Sequence, residues 1–157
     1  MSVRVLVVED EFMIGLDIGQ QLGDAGFEVV GPAPSVAKAL RLVAEEGCDV
    51  AVLDVNLGCE TSEPVAGQLR ASGKPFVVLT GYSTDHLRPW YQNATVLTKP
   101  HRIADLVAAL RQAITTGMEQ AISVGRRAGV PQSALVGPIR RPYGGRGRRW
   151  PDGHYSS

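Results

Sequence analysis

A chain of 157 residues, 44% hydrophobic and 20% charged with no net formal charge, is sized for one domain with an appendage and can bury a core without disulfides or structural metals. The neutrality hides an asymmetry: residues 1–116 hold 9 Lys and Arg against 14 Asp and Glu, whereas residues 117–157 hold 7 Arg against Glu119 and Asp152. No run approaches the ~18 apolar residues of a membrane span, no signal peptide precedes the first strand, and two lone cysteines, Cys48 and Cys59, fit a reducing cytoplasm better than a disulfide framework.

Val5-Leu6-Val7-Val8 reads as a first strand, apolar throughout like strands buried on both faces of a parallel sheet. Phe12, Ile14, Leu16, Ile18 and Leu22, with Ala25 behind them, make an amphipathic helix. Asp10 or Glu11 lies at its start, where a carboxylate favours the helix dipole. Gly26 stops that helix, and Phe27–Val30 is a second strand closed by Gly31-Pro32. Ser35 caps a helix through about Glu46, with Val36, Leu40 and Val43 at helical spacing. Val50-Ala51-Val52-Leu53 is the third strand, and Asn56–Glu63 reads as a polar loop.

Pro64 suits the first turn of a short helix reaching Ser72. Phe76-Val77-Val78-Leu79 is the fourth strand, and in residues 83–94 Pro89 interrupts a weak helical pattern. Val96-Leu97-Thr98 is a short fifth strand. Ile103, Leu106, Val107, Leu110 and Ile114 place the last helix from Ile103 to about Thr116, with two further turns conceivable over Met118–Val124. The sum, βαβαβαβαβα, predicts an α/β, doubly wound three-layer sandwich with right-handed crossovers. Residues 1–120 form the domain in this reading. Residues 121–157, rich in Arg, Gly and Pro, bury too little apolar surface to offset their ordering entropy and read as a disordered basic tail.

Four of these strands stop at a residue fit for phosphoryl chemistry: Glu9-Asp10-Glu11, Asp54 with Asn56, Thr80 and Lys99. Ligands of open parallel sheets bind beyond the carboxyl ends of the strands, so one crevice collects all four. Carboxylates at Asp10 and Asp54 suit Mg2+, which takes a few oxygen ligands and keeps several waters; a backbone carbonyl near Asn56 could join them. An ionised Asp beside Mg2+ can attack phosphorus without a separate general base. Lys99 would neutralise charge on the transferring group and the Thr80 hydroxyl would hydrogen-bond a phosphoryl oxygen. Each residue alone is ordinary: a turn acid, a strand-end Asp, a Thr-Gly turn, a Lys-Pro loop entry. All four at successive strand ends are not.

With Val7-Val8-Glu9-Asp10-Glu11, Leu53-Asp54-Val55-Asn56-Leu57, Leu79-Thr80-Gly81 and Leu97-Thr98-Lys99-Pro100, the chain resembles the response-regulator receiver domains of two-component signalling over about residues 3–116. The resemblance implies a flavodoxin-like (βα)5 fold with sheet order 2-1-3-4-5. It implies that Asp54 accepts phosphate from a histidine kinase or histidine phosphotransfer protein. Asp10, Asp54 and the Asn56 carbonyl would bind Mg2+ directly, Glu9 would act through water, and Thr80 and Lys99 would take the switch and phosphate-binding roles. Receivers usually carry an aromatic three residues before the active-site Lys; here it is Val96, so the usual aromatic switch is absent or rerouted. Pro75-Phe76-Val77-Val78-Leu79-Thr80-Gly81-Tyr82 is similar to the motif of the FATGUY receivers, a subgroup common in alphaproteobacteria, in which Tyr82 would supply the aromatic signal.

The expected function is thus a phosphorylation-dependent signalling switch that catalyses only its own phosphorylation and dephosphorylation and signals to a downstream protein partner. Two alternatives stand beside it. Seven tail arginines could contact nucleic-acid phosphates without a sequence code, although no helix-turn-helix pattern follows residue 117. A haloacid-dehalogenase-type hydrolase would need a second carboxylate where Asn56 stands. The oligomeric state is left open.

Overall fold

The computed structural model describes residues 2–81 and 89–127. Tyr82 and the Arg-rich stretch from residue 128 onward lie outside these residues. The elements are β1 (Arg4–Val8), α1 (Phe12–Asp24), β2 (Glu28–Ala33), α2 (Val36–Glu45), β3 (Val50–Asp54), a hairpin of β4 (Asn56–Leu57) and β5 (Glu60–Thr61), α3 (Glu63–Ala71), β6 (Phe76–Thr80), β7 (Thr95–Thr98) and α4 (Ile103–Arg127). The main sheet is parallel in order β2-β1-β3-β6-β7, which is 2-1-3-4-5 once the hairpin strands are set aside.

Period-two alternation sorts the strand residues onto two cores. Val5, Val7, Val50, Val52, Val77 and Leu79 face α1 and α4, where Ile18, Leu22, Leu106 and Leu110 meet them. Leu6, Val8, Ala51, Leu53, Phe76 and Val78 face α2 and α3, against Ala39, Leu42, Val65 and Leu69. Because β1, β3 and β6 are covered on both sides, Val5–Val8, Val50–Leu53 and Phe76–Leu79 are apolar throughout, and the first polar residue after each run, Glu9, Asp54 and Thr80, is where the chemistry begins.

Three elements differ from their sequence patterns. The apolar spacing puts Phe12, Ile14, Leu16, Ile18 and Leu22 on the packed face of α1; Ile18 and Leu22 are buried as that spacing predicts, but Phe12, Ile14 and Leu16 are 67%, 37% and 43% exposed and Gly15 is buried in their place. The close approach of α1 to β2 selects this face: a Cβ at Gly15 would lie 2.8 Å from the Pro32 Cβ. β2 does not close at Gly31-Pro32 but runs on to Ala33 past a register shift against β1. There Gly31 adopts φ +94°, and a Cβ would meet the Ala33 amide at 2.8 Å. Finally, α4 passes Gly117 beside the Pro75 ring and remains helical through Arg127. The boundary drawn at residue 120 therefore falls inside a helix.

The expected caps and turns are largely present. The Ser35 hydroxyl accepts from the Lys38 amide at the start of α2, and Pro64 sits in the first turn of α3. The polar Asn56–Glu63 segment is partly ordered into the β4–β5 hairpin, whose turn uses Gly58 at φ +70°. In the β6–β7 crossover the described part contains a 3-10 turn, Pro89–Tyr91, rather than a helix. Among the described residues no helix is long and apolar enough to cross a membrane.

Candidate functional site

β1 ends at Val8 and β3 at Asp54, adjacent strands in register with Val8 beside Leu53. This register brings the acids following β1 next to the acid closing β3. One carboxylate oxygen from each of Glu9, Asp10 and Asp54 lies within 4.8 Å of the others, with Glu9 and Asp54 buried and Asp10 half-buried. Three hard oxygen donors, open to solvent on the Asp10 side, match what Mg2+ requires of a protein. Asn56, exposed and two residues past Asp54, stands where a backbone carbonyl could be added.

Lys99 arrives from the loop after β7. Its Nζ donates to Asp54 Oδ2 at 2.7 Å and to Glu9 Oε2 at 3.2 Å. The opposite oxygens accept from the backbone: Asp54 Oδ1 from the Asn56 amide and Glu9 Oε1 from the Glu11 amide, each at 3.2 Å. Thr80 closes β6 with 1% exposure, registers with Thr98, and its carbonyl accepts from the Lys99 amide at 2.8 Å. Glu9, Asp10, Asp54, Asn56, Thr80 and Lys99 thus all lie at the carboxyl end of the sheet.

Burial and close neighbours shift the titration of Glu9 and Lys99. Burial, and next the hydrogen bond and charge of Asp54, raise the Glu9 pKa from 4.5 to about 7 against the opposing pull of the Glu11 amide and Lys99. Burial alone would lower the Lys99 pKa, but the hydrogen bonds and charges of Asp54 and Glu9 outweigh it and hold the ammonium above its ordinary value. His101 is half-buried and its pKa is lowered, by burial and then by Lys99.

A raised carboxyl pKa means that the folded state binds a proton the unfolded chain has released. Without metal, stability should therefore fall as pH rises from 4.5 toward about 7, by on the order of 2 to 3 kcal/mol. A cation in the cluster competes with that proton, so apparent Mg2+ affinity should rise over the same interval. Glu9→Gln should flatten both profiles. Denaturant melts in EDTA and Mg2+ titrations at pH 5.5 and 8 check this; parallel profiles for both proteins would contradict the assignment to Glu9.

Sequence reasoning missed two features beside the site. Phe12 and Met13 stand 67% and 74% exposed on the first turn of α1, although apolar periodicity assigns Phe12 to the core. The buried Ser62 hydroxyl lies 2.9 Å from the Tyr91 hydroxyl, a pairing across 29 residues that no local pattern reveals.

This arrangement has a wider match. The family model for the response regulator receiver domain matches residues 5–111. The transcriptional regulatory protein PdtaR of Mycobacterium tuberculosis is 32% identical over 119 residues, covering 71% of this chain and 57% of PdtaR; the chain thus spans little more than half of that relative's length. Among solved structures, the solution structure of SdrG from Sphingomonas melonis Fr1 is 38% identical with TM-score 0.62, covering 73% of this chain and 97% of SdrG. A receiver protein from Sinorhizobium medicae is 26% identical with TM-score 0.64, covering 74% and 97%. With the parallel sheet, the acidic cluster and the lysine facing it, these likenesses have one reading: the chain belongs to the response regulator receiver domain family.

Proposed function

We propose that this receiver is a phosphorylation-dependent signalling switch in which Asp54 takes a phosphoryl group from a histidine kinase or a histidine phosphotransfer protein. The single observation that carries this is the Asp54 carboxylate at the carboxyl end of β3, 2.7 Å from Lys99 and grouped with Glu9 and Asp10. One Asp54 oxygen attacks phosphorus, the donor's P–N bond breaks, and the imidazole leaves with the bonding electrons. The carboxylate carries no proton to remove, so no general base is required. Lys99 would offset charge on the transferred group, and Thr80, the last residue of β6, would donate its hydroxyl to a phosphoryl oxygen.

Asp10, Asp54 and the Asn56 carbonyl would hold Mg2+, with Glu9 acting through water. When bound, Mg2+ supplies charge neutralisation for the incoming phosphoryl oxygens. In this reading the chain catalyses only its own phosphorylation and dephosphorylation, works in the cytoplasm in keeping with the unpaired Cys48 and Cys59, and signals to a downstream protein. Incubation with acetyl phosphate and Mg2+ should add one acid-stable, base-labile phosphate per chain. Sustained hydrolysis of p-nitrophenyl phosphate instead would favour the phosphatase alternative.

Exposed Phe12, Met13 and Leu16, directly after the acidic cluster, support a protein donor, because contiguous apolar surface beside a polar site marks a contact face. The Phe12→Ala/Met13→Ala double variant should slow transfer from the kinase that profiling identifies as fastest by roughly tenfold or more. Labelling by acetyl phosphate should not change. Equal slowing with both donors would place these residues in the chemistry rather than in docking.

A further inference from the structure

Ser62 stands immediately before α3, where a serine hydroxyl normally accepts a hydrogen bond from the second or third helical amide. Pro64 has no amide hydrogen, so Val65 offers the one such donor. Yet the Ser62 side chain makes no cap bond; its hydroxyl lies 2.9 Å from the Tyr91 hydroxyl. Both residues are buried, Ser62 at 0% and Tyr91 at 2% exposure. A helix start has given up its usual partner for a contact 29 residues away.

The two ends of this contact belong to the two segments that leave the phosphoryl site. The Ser62 amide donates to the Val55 carbonyl, the residue after Asp54, and the Val55 amide donates to the Leu79 carbonyl, the residue before Thr80. Tyr91 lies in the crossover that begins after Thr80, packed in one core with Leu57, Val65 and Val78, and the half-buried Val96 borders that core. A second tie holds the same crossover to α3: Arg70 Nη2 donates to the Gln92 carbonyl at 2.6 Å while its guanidinium covers the Phe76 ring.

We propose that the Ser62–Tyr91 hydrogen bond is a latch that keeps the Pro89–Tyr91 turn docked on the start of α3 in the unphosphorylated protein and is released on phosphorylation. This deepens the phosphoacceptor reading and rests on it. The exchange is cheap at one end: when Tyr91 withdraws, the Ser62 hydroxyl can turn to the Val65 amide, so the buried hydroxyl keeps a partner in both arrangements. Two packings of similar energy are what a small trigger can bias. Tyr91 is a positioning residue here, and it offers a route from Asp54 to the crossover that needs no aromatic at position 96.

If the bond holds the resting arrangement, its loss must favour the phosphorylated one. Beryllofluoride with Mg2+, followed by amide NMR on the full chain, reads that balance directly. Tyr91→Phe and Ser62→Ala should each tighten apparent beryllofluoride affinity by roughly three- to tenfold, and the double variant no more than either single one, since all remove the same bond. A purely structural contact would lower the melting temperature and leave affinity unchanged. Unchanged or weakened affinity in the variants, or additive effects, would overturn the latch; either single variant suffices if the other misfolds. A wild-type chain that binds no beryllofluoride and takes no phosphate would instead overturn the proposed function beneath it.

Discussion

Asp54→Asn should abolish phosphoryl uptake, from one phosphate per chain to none, with acetyl phosphate or a kinase as donor. The change is nearly isosteric, so the fold around β3 should persist: the side-chain oxygen can still accept from the Asn56 amide, as Asp54 Oδ1 does at 3.2 Å. What disappears is the nucleophile, since a neutral amide cannot form the acyl phosphate. The substitution has a second effect that circular dichroism or activity alone would miss. Asp54 supplies two of the three influences that raise the Glu9 pKa, so in the variant Glu9 should titrate nearer its ordinary range and the pH dependence of stability should shrink. Intact-mass measurement after acetyl phosphate treatment reads the first effect, and EDTA melts across pH read the second. Phosphate that persists on Asp54→Asn, at Asp10 or elsewhere, would remove Asp54 from the centre of the mechanism.

Lys99→Met should give the largest change in stability of any substitution at this site. Glu9 and Asp54, with side chains 2% and 10% exposed, share the single ammonium of Lys99. Removing it leaves two buried acids facing one another, which costs about 3 to 5 kcal/mol where such pairs are fully buried. Lys99 retains 29% exposure, so a loss of about 2 to 3 kcal/mol is expected at pH 8 in EDTA. The sign with pH follows from Glu9. Its pKa is already raised and Lys99 is one of the groups pulling it down, so without Lys99 the folded state holds that proton still more firmly. At pH 5.5 the proton stands in for the ammonium and the loss should be smaller. Saturating Mg2+ should likewise recover stability, because a divalent ion supplies the missing positive charge. Urea melts under these three conditions test the account. Equal destabilisation in all of them would mean that the Lys99 methylenes, not its charge, hold the site together.

Much of the site could be read without coordinates because both its parts are written locally. Val5–Val8, Val50–Leu53 and Phe76–Leu79 are unbroken apolar runs, as strands of a sheet covered on both faces are, and an abrupt polar residue follows each. Glu9, Asp10, Asp54, Thr80 and Lys99 could therefore be placed at strand ends from period and composition alone, and the parallel arrangement sends those ends to one crevice. The cap at Ser35 and the turn position of Pro64 are equally local, since each depends on a few neighbouring backbone groups.

What the pattern could not supply depended on neighbours distant in the chain. Phe12, Ile14 and Leu16 have the hydrophobicity of a core face, but Gly15 is the residue that fits against Pro32, and that close packing turned the apolar side chains outward. The Asn56–Thr61 hairpin has two-residue strands, too short for any periodicity to register. The raised pKa of Glu9 arises from burial and from Asp54, 45 residues away and brought beside it by the β1–β3 register. The Ser62–Tyr91 bond is legible only once α3 and the β6–β7 crossover are packed together. Sequence determined which groups the strands would deliver to the crevice, because strand period and strand ends are short-range properties. Tertiary packing decided which face of α1 was left uncovered, how strongly Glu9 held its proton, and which hydroxyls met, because burial and cross-chain distance exist only in the folded molecule.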